Sequence, residues 1–157
     1  MKIKTFILST ILTFAMLIST ANANTQSNVK IVVDGNTIVF EDQGPVIVND
    51  NTLVPIRAVM EALGKTVDWN GDLNQAIVYD EYITVKLTLN SNVMTNEIKD
   101  IGTGELYTFD TELETAPMLI GDRTCLPIRA VVEAFGIAVT WDEATQSVLI
   151  LSDSLLC

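Results

Sequence analysis

The sequence predicts an α+β fold, antiparallel sheets with two short helices, built as two halves of one design. Three observations carry that prediction. A twelve-residue phrase occurs twice, LVPIRAVMEALG from Leu53 to Gly64 and CLPIRAVVEAFG from Cys125 to Gly136. Inside each phrase the apolar residues keep helical spacing between a Pro and a Gly. On either side lie short stretches with the period-two alternation of strands.

The likeness extends beyond the phrases. At one offset of 72, without gaps, Pro45 matches Pro117, Asp50 matches Asp122, Thr52 matches Thr124 and Pro55 matches Pro127. Arg57 and Arg129, Glu61 and Glu133, Gly64 and Gly136, and Trp69 and Trp141 fall in the same register. Rare residues held in one register over such a span are the signature of an internal duplication. The repeats run from about 45 to 78 and from about 117 to 150. Neither is large enough to stabilise a core alone, so the two are expected to share a single domain.

The elements follow in order. VKIVVDGNTIVF reads as a hairpin, with Asp34-Gly35-Asn36 as its turn. VIVNDNTLV is two apolar runs around an Asn/Asp turn, a second hairpin. Pro55 then sets φ for a helix start. Ile56, Val59, Met60 and Leu63 share a helical face, repeated by Ile128, Val131, Val132 and Phe135. Gly64 and Gly136 stand where a left-handed cap ends a helix. The period then changes to two, placing Val67 with Trp69, and Val139 with Trp141, on strand faces that bury both indoles as core anchors, with a sugar-stacking platform as the alternative for the two tryptophans. NGDLNQ and DEATQS make turns into the apolar strands AIVY and VLIL. Between the repeats, YITVKLTLNSNVMT reads as a hairpin turning at 90–92. The stretch from Asn96 to Thr115 holds six acids against Lys99 and reads as a mobile, weakly ordered surface hairpin.

The first residues have a different purpose. Lys2 and Lys4, the apolar run from Ile7 to Ile18, and Ala21-Asn22-Ala23 follow the pattern of a secretory signal peptide, cleaved after Ala23. The run is short for a membrane span. The mature chain would be 24–157, a secreted single domain with no membrane attachment. Loss of Lys2 and Lys4 moves the formal charge from −11 to −13. Such acidity opposes nucleic-acid binding. An exported chain can oxidise Cys125 and Cys157, yet Leu53 holds the matching place to Cys125, which suits a buried thiol equally well.

The chain has no histidine. That removes Ser-His-Asp and Cys-His catalysis, the common zinc sites and histidine-bound copper. Asp68, Asn70, Asp72 and Asn74 alternate like the start of a calcium loop. Leu73 and Tyr79 stand where such a loop needs Gly and Glu, so a strand-turn-strand is expected. Arg57 and Arg129 each place a cation in a first helical turn, against the helix dipole. A backbone carbonyl or carboxylate of a neighbouring hairpin is the expected partner, and an anionic ligand the alternative. LPIRA, from Leu126 to Ala130, lacks the Thr-Gly of a cell-wall sorting signal.

TLVPIRAVMEALGKTVDWNGDLNQAIV and TCLPIRAVVEAFGIAVTWDEATQSVLI together resemble the module named after the N-terminal domain of copper amine oxidase, also called the stalk domain. The likeness spans roughly Val29 to Leu151 and rests on Pro55, Arg57, Glu61, Gly64, Trp69, Pro127, Arg129, Glu133, Gly136 and Trp141 as structural motif residues. It implies a secreted or surface protein of a Gram-positive bacterium. It does not imply the oxidase reaction. In that enzyme, copper and the tyrosine-derived quinone belong to a separate catalytic domain. Copper there takes three histidines, and the cofactor tyrosine follows an asparagine; this chain has neither histidine nor an Asn-Tyr pair. The expectation is therefore a non-catalytic exported structural or interaction module, with no catalytic residues, cofactor or metal. Its partner would be a protein or cell-wall component. The alternative is an extracellular binding protein for a cation or small glycan.

Overall fold

A computed structural model describes residues 27–152; the signal peptide and Cys157 lie outside them. Thirteen strands and two helices follow one another along these residues. They are β1 (Lys30–Val33), β2 (Asn36–Thr37), β3 (Val46–Val48), β4 (Asn51–Pro55), α1 (Ile56–Ala62), β5 (Thr66–Asn70), β6 (Gln75–Tyr79), β7 (Ile83–Thr88) and β8 (Val93–Lys99). Then come β9 (Leu106–Glu112), β10 (Met118–Ile120), β11 (Arg123–Pro127), α2 (Ile128–Ala134), β12 (Ala138–Asp142) and β13 (Ser147–Leu151). The fold is α+β, as the alternation of periods predicts. Strands β3 to β6 with α1 return, each 72 residues later, as β10 to β13 with α2.

Each strand-to-helix corner is built the same way. Pro55 and Pro127 close a strand at φ −63° and −66° with extended ψ, one position ahead of the first helical residue. Proline's fixed φ suits that junction, and no cap side chain is needed to form it. At the other end Gly64 and Gly136 take φ of +71° and +74°, a region that costs glycine little. The Gly64 N–H donates to Glu61 O and the Lys65 N–H to Met60 O, the paired bonds of a Schellman cap.

The three sheets interlock the halves. In the first, β3–β4 and β11–β10 join through an antiparallel β4–β11 pair. Val54 faces Leu126, its own counterpart at the offset of 72, so the pairing is centred on a local pseudo-dyad. These strands are buried on both faces. Val54 and Leu126 enter the main core, while Leu53 and Cys125 pack with Val46 and Ile120 in a smaller cluster. Helix α1 packs against β11 and α2 against β4, so each half covers the other.

The second sheet runs β12-β13-β1-β2. Its β1–β13 pair is parallel, from Lys30 opposite Ser147 to Val33 opposite Ile150, a departure from the all-antiparallel expectation. Ile31, Val33, Val148 and Ile150 bury their side chains from this pair. The third sheet, β5-β6-β7-β8-β9, is wholly antiparallel.

The acidic stretch corrects the reading of a loose insert. Strands β8 and β9 form a seven-pair ladder, Val93–Glu112 to Lys99–Leu106. Thr95, Glu97, Thr108, Asp110 and Glu112 share the outer face, where Lys86 pairs with Glu97 at 2.5 Å. The opposite face carries Asn96, 3% exposed, whose Nδ2 donates to Thr111 Oγ1 at 2.9 Å. Charge is confined to one face of an ordered sheet, so its density does not prevent folding. Tyr107 and Phe109 continue the core face past the core's edge and are exposed. The turn at 100–105 is tied by Asp100 Oδ1, which accepts from the N–H groups of Gly102 and Thr103.

Candidate functional site

The pairing about Val54 and Leu126 generates two related clefts, one at each helix start. The first, about 520 Å³, is lined by the opening of α1, the β5–β6 hairpin, the β10–β11 turn and the segment 39–43. The second, about 220 Å³, lies at the opening of α2. Seven positions of one match seven of the other at the offset of 72. They are Ile56 and Ile128, Arg57 and Arg129, Val67 and Val139, Trp69 and Trp141, Ala76 and Val148, Asp122 and Asp50, and Thr124 and Thr52. Each cleft takes its helix and long hairpin from one half and its turn from the other.

The second cleft is narrowed by its own side chains. Arg129 donates from Nη1 to Val139 O at 3.1 Å and approaches Glu133 Oε1 at 3.4 Å. This is the clamp on a hairpin carbonyl that its unfavourable helical position suggests. Trp141 is half-buried against the core, and its Nε1 donates to Glu143 Oε2 at 2.7 Å. Val148 adds two methyl groups at the floor.

The first cleft lacks each of these closures. Arg57 reaches Glu61 at 3.9 Å, with its side chain 61% exposed, and among the described contacts it does not hold the Val67 carbonyl. Gly71 stands where the other half has Glu143; a Cβ there would sit 3.9 Å from Trp69 Nε1. Ala76 replaces Val148. Trp69 is 43% exposed, which corrects the expectation of a buried plug. Alternation rightly puts it on the face of Val67, but β5 carries it beyond the rim of the core. Among the other motif residues, Glu61 and Glu133 remain at the surface as weak i,i+4 partners of the arginines.

The cleft's electrostatics are acidic. Glu41, Asp42, Glu61, Asp68 and Asp122 line it with Arg57 and Arg123. Arg123 bonds Asp42, tying segment 39–43 to β11. That hydrogen bond and Asp42's charge hold the guanidinium above its ordinary pKa, with Asp122 and Glu41 adding. Asp68 accepts from the Tyr79 hydroxyl at 3.0 Å, which raises the phenol's pKa first through the hydrogen bond and then through charge. Among the described residues no group of three or more Cys, Asp or Glu is placed to hold a metal ion. The alternating oxygens from Asp68 to Asn74 serve a turn instead: Asn70 Oδ1 accepts from the N–H groups of Asp72 and Leu73.

Residues 32–150 match the family model of the copper amine oxidase N-terminal domain. The chain belongs to that family. The copper amine oxidase N-terminal domain is the non-catalytic part of those enzymes. No curated protein and no solved structure matches the chain. Among the described residues, no helix is long and apolar enough to cross a membrane. Sequence reasoning names Pro55, Arg57, Glu61 and Trp69, but not the opposing wall at 39–43 and 122–124. The matching Asp and Thr in each repeat are the signal that bears on that wall, because they recur beside each helix start.

Proposed function

We propose that this copper amine oxidase N-terminal domain is a non-catalytic exported module that works by binding, at or near the cell envelope, a protein or cell-wall component. The open first cleft carries the reading. Its exposed groups are an indole, a guanidinium and carboxylates, the equipment of recognition. The leader-like start of the sequence supports export, and the family's non-catalytic character supports the absence of a reaction.

The mature chain, immobilised, is exposed to purified cell wall, soluble polysaccharide and secreted proteins. Retention of one fraction that is lost with Trp69→Ala is the expected result. Equal retention by parent and variant, or no retention of any fraction, overturns the reading. Mass spectrometry of exported protein should find Asn24 first. Incubation with primary amines should release no peroxide; release would show a reaction where binding alone is expected.

A further inference from the structure

We infer that the first cleft is a sugar-binding site, taking a short glycan of neutral or amino-bearing pyranose units stacked on Trp69. The inference rests on the binding-module reading and specifies its ligand. The molecule supplies its own control, because the same seven positions are arranged twice. One arrangement leaves a small cleft of about 220 Å³, and the other a cleft of about 520 Å³. Small-ligand sites occupy roughly 300–1,000 Å³, a range that admits the open cleft and excludes its twin.

The differences between the twins all concern what a sugar needs. A pyranose presents an apolar C–H face and a rim of hydroxyls. An indole offers that face a flat platform, and Trp69 is 43% exposed. Glu143 occupies the Trp141 N–H at 2.7 Å, whereas Gly71 leaves the corresponding edge of Trp69 uncovered for a hydroxyl oxygen. Arg129 donates to the Val139 carbonyl, whereas Arg57 makes only the 3.9 Å approach to Glu61, although the two side chains are about equally exposed, 55% and 61%. Asp122 and Glu61 add acceptors for hydroxyl or ammonium hydrogens. Five carboxylates face two guanidiniums in this cleft, so uronates, phosphates and sulfated sugars meet repulsion.

The test is calorimetric titration of the mature chain with three purified probes: a cello-oligosaccharide, a partly deacetylated chito-oligosaccharide and an oligogalacturonate. Indole fluorescence is read in parallel. A neutral or amino-bearing probe should bind and perturb fluorescence, and the uronate should not. Trp69→Ala should weaken binding by about tenfold or more. Gly71→Glu, which installs the twin's carboxylate at a position with room for a side chain, should do the same without loss of melting temperature. Ala76→Val should also weaken binding. Full affinity in Gly71→Glu, preference for the uronate, or no binding of any probe at millimolar concentration overturns the proposal. A chain that fails these titrations yet retains a secreted protein in the capture experiment leaves the binding-module reading standing and removes only the sugar.

Discussion

Asp80→Asn separates one ion pair from everything around it. Lys65 follows the α1 cap, and its Nζ donates to Asp80 Oδ2 at 2.6 Å, with both side chains about one-fifth exposed. The other carboxylate oxygen, Oδ1, accepts from the N–H groups of Tyr82 and Ile83 at 2.9 and 2.8 Å. Asparagine can keep both backbone bonds through its carbonyl oxygen. Its NH₂ then faces the ammonium, donor against donor. A half-buried charge-assisted bond lies between a surface pair and a buried one, so the loss should be about 1–3 kcal/mol at pH 7. For a domain of this size that is about 4–10 °C in Tm.

The pH dependence has a definite sign. Burial alone would raise the Asp80 pKa, but the Lys65 hydrogen bond, the two N–H groups and the lysine charge outweigh it, and the pKa is lowered. A carboxyl with a lower pKa folded than unfolded adds stability above its unfolded value, about 3.9, and loses it as pH falls through the folded value. Thermal melts of parent and variant should therefore differ fully at pH 7, begin to converge below about pH 4, and meet once the carboxyl is protonated. Lys65→Met, which keeps an apolar chain near the Phe135 ring that Nζ overlies at 5.2 Å, supplies the second arm of a double-mutant cycle. Additive losses, or a gap that stays constant down to about pH 2.5, would refute the reasoning.

Trp141→Ala should cost about 2–3 kcal/mol, and Trp69→Ala about 1 kcal/mol, because one indole packs on the core and the other is 43% exposed; denaturant melts that reverse this order would place the core rim elsewhere. Replacing 101–104 by Asn-Gly should move Tm by less than about 2 °C, since that turn is exposed, whereas Asn96→Ala should lower stability by about 1–2 kcal/mol by removing the bond to Thr111. Cys125 is buried, and burial pushes its thiol pKa up to about 11. In a Cys157→Ser background, a thiol reagent should therefore label the native protein slowly and the unfolded protein at once; rapid native labelling would show that the small cluster opens.

What could be read from the sequence depended on range. Both helices, their glycine caps and the hairpins on either side arise from residues a few positions apart, and each appears where its period places it. The repeat of Pro, Gly and Trp at 72 marks matching positions but says nothing of how they meet. That Val54 faces Leu126, and that β1 lies parallel to β13, depends on pairing between distant segments, for which a single sequence offers no local signal. Trp69 shows the same limit. Alternation assigns its face, but where β5 leaves the core depends on what packs above it. In the acidic stretch and the strand it pairs with, composition averages two faces that the sheet keeps apart: Glu97 and Asp110 outside, Met94 and Asn96 within.

The parallel alignment of β1 and β13 determines how the molecule bears tension. The described chain enters near residue 30, at the start of one strand, and leaves near 151, at the end of its neighbour. Pulling the two ends apart slides these strands along each other. The bonds from Lys30–Ser147 to Val33–Ile150 are then loaded together, in shear. Antiparallel terminal strands would instead unzip, one bond at a time from a common end. Forced rupture is governed by the unfolding barrier rather than by equilibrium stability. A domain linked in series through these two strands would act as a mechanical clamp, holding its shape under load to a degree that its melting temperature does not report.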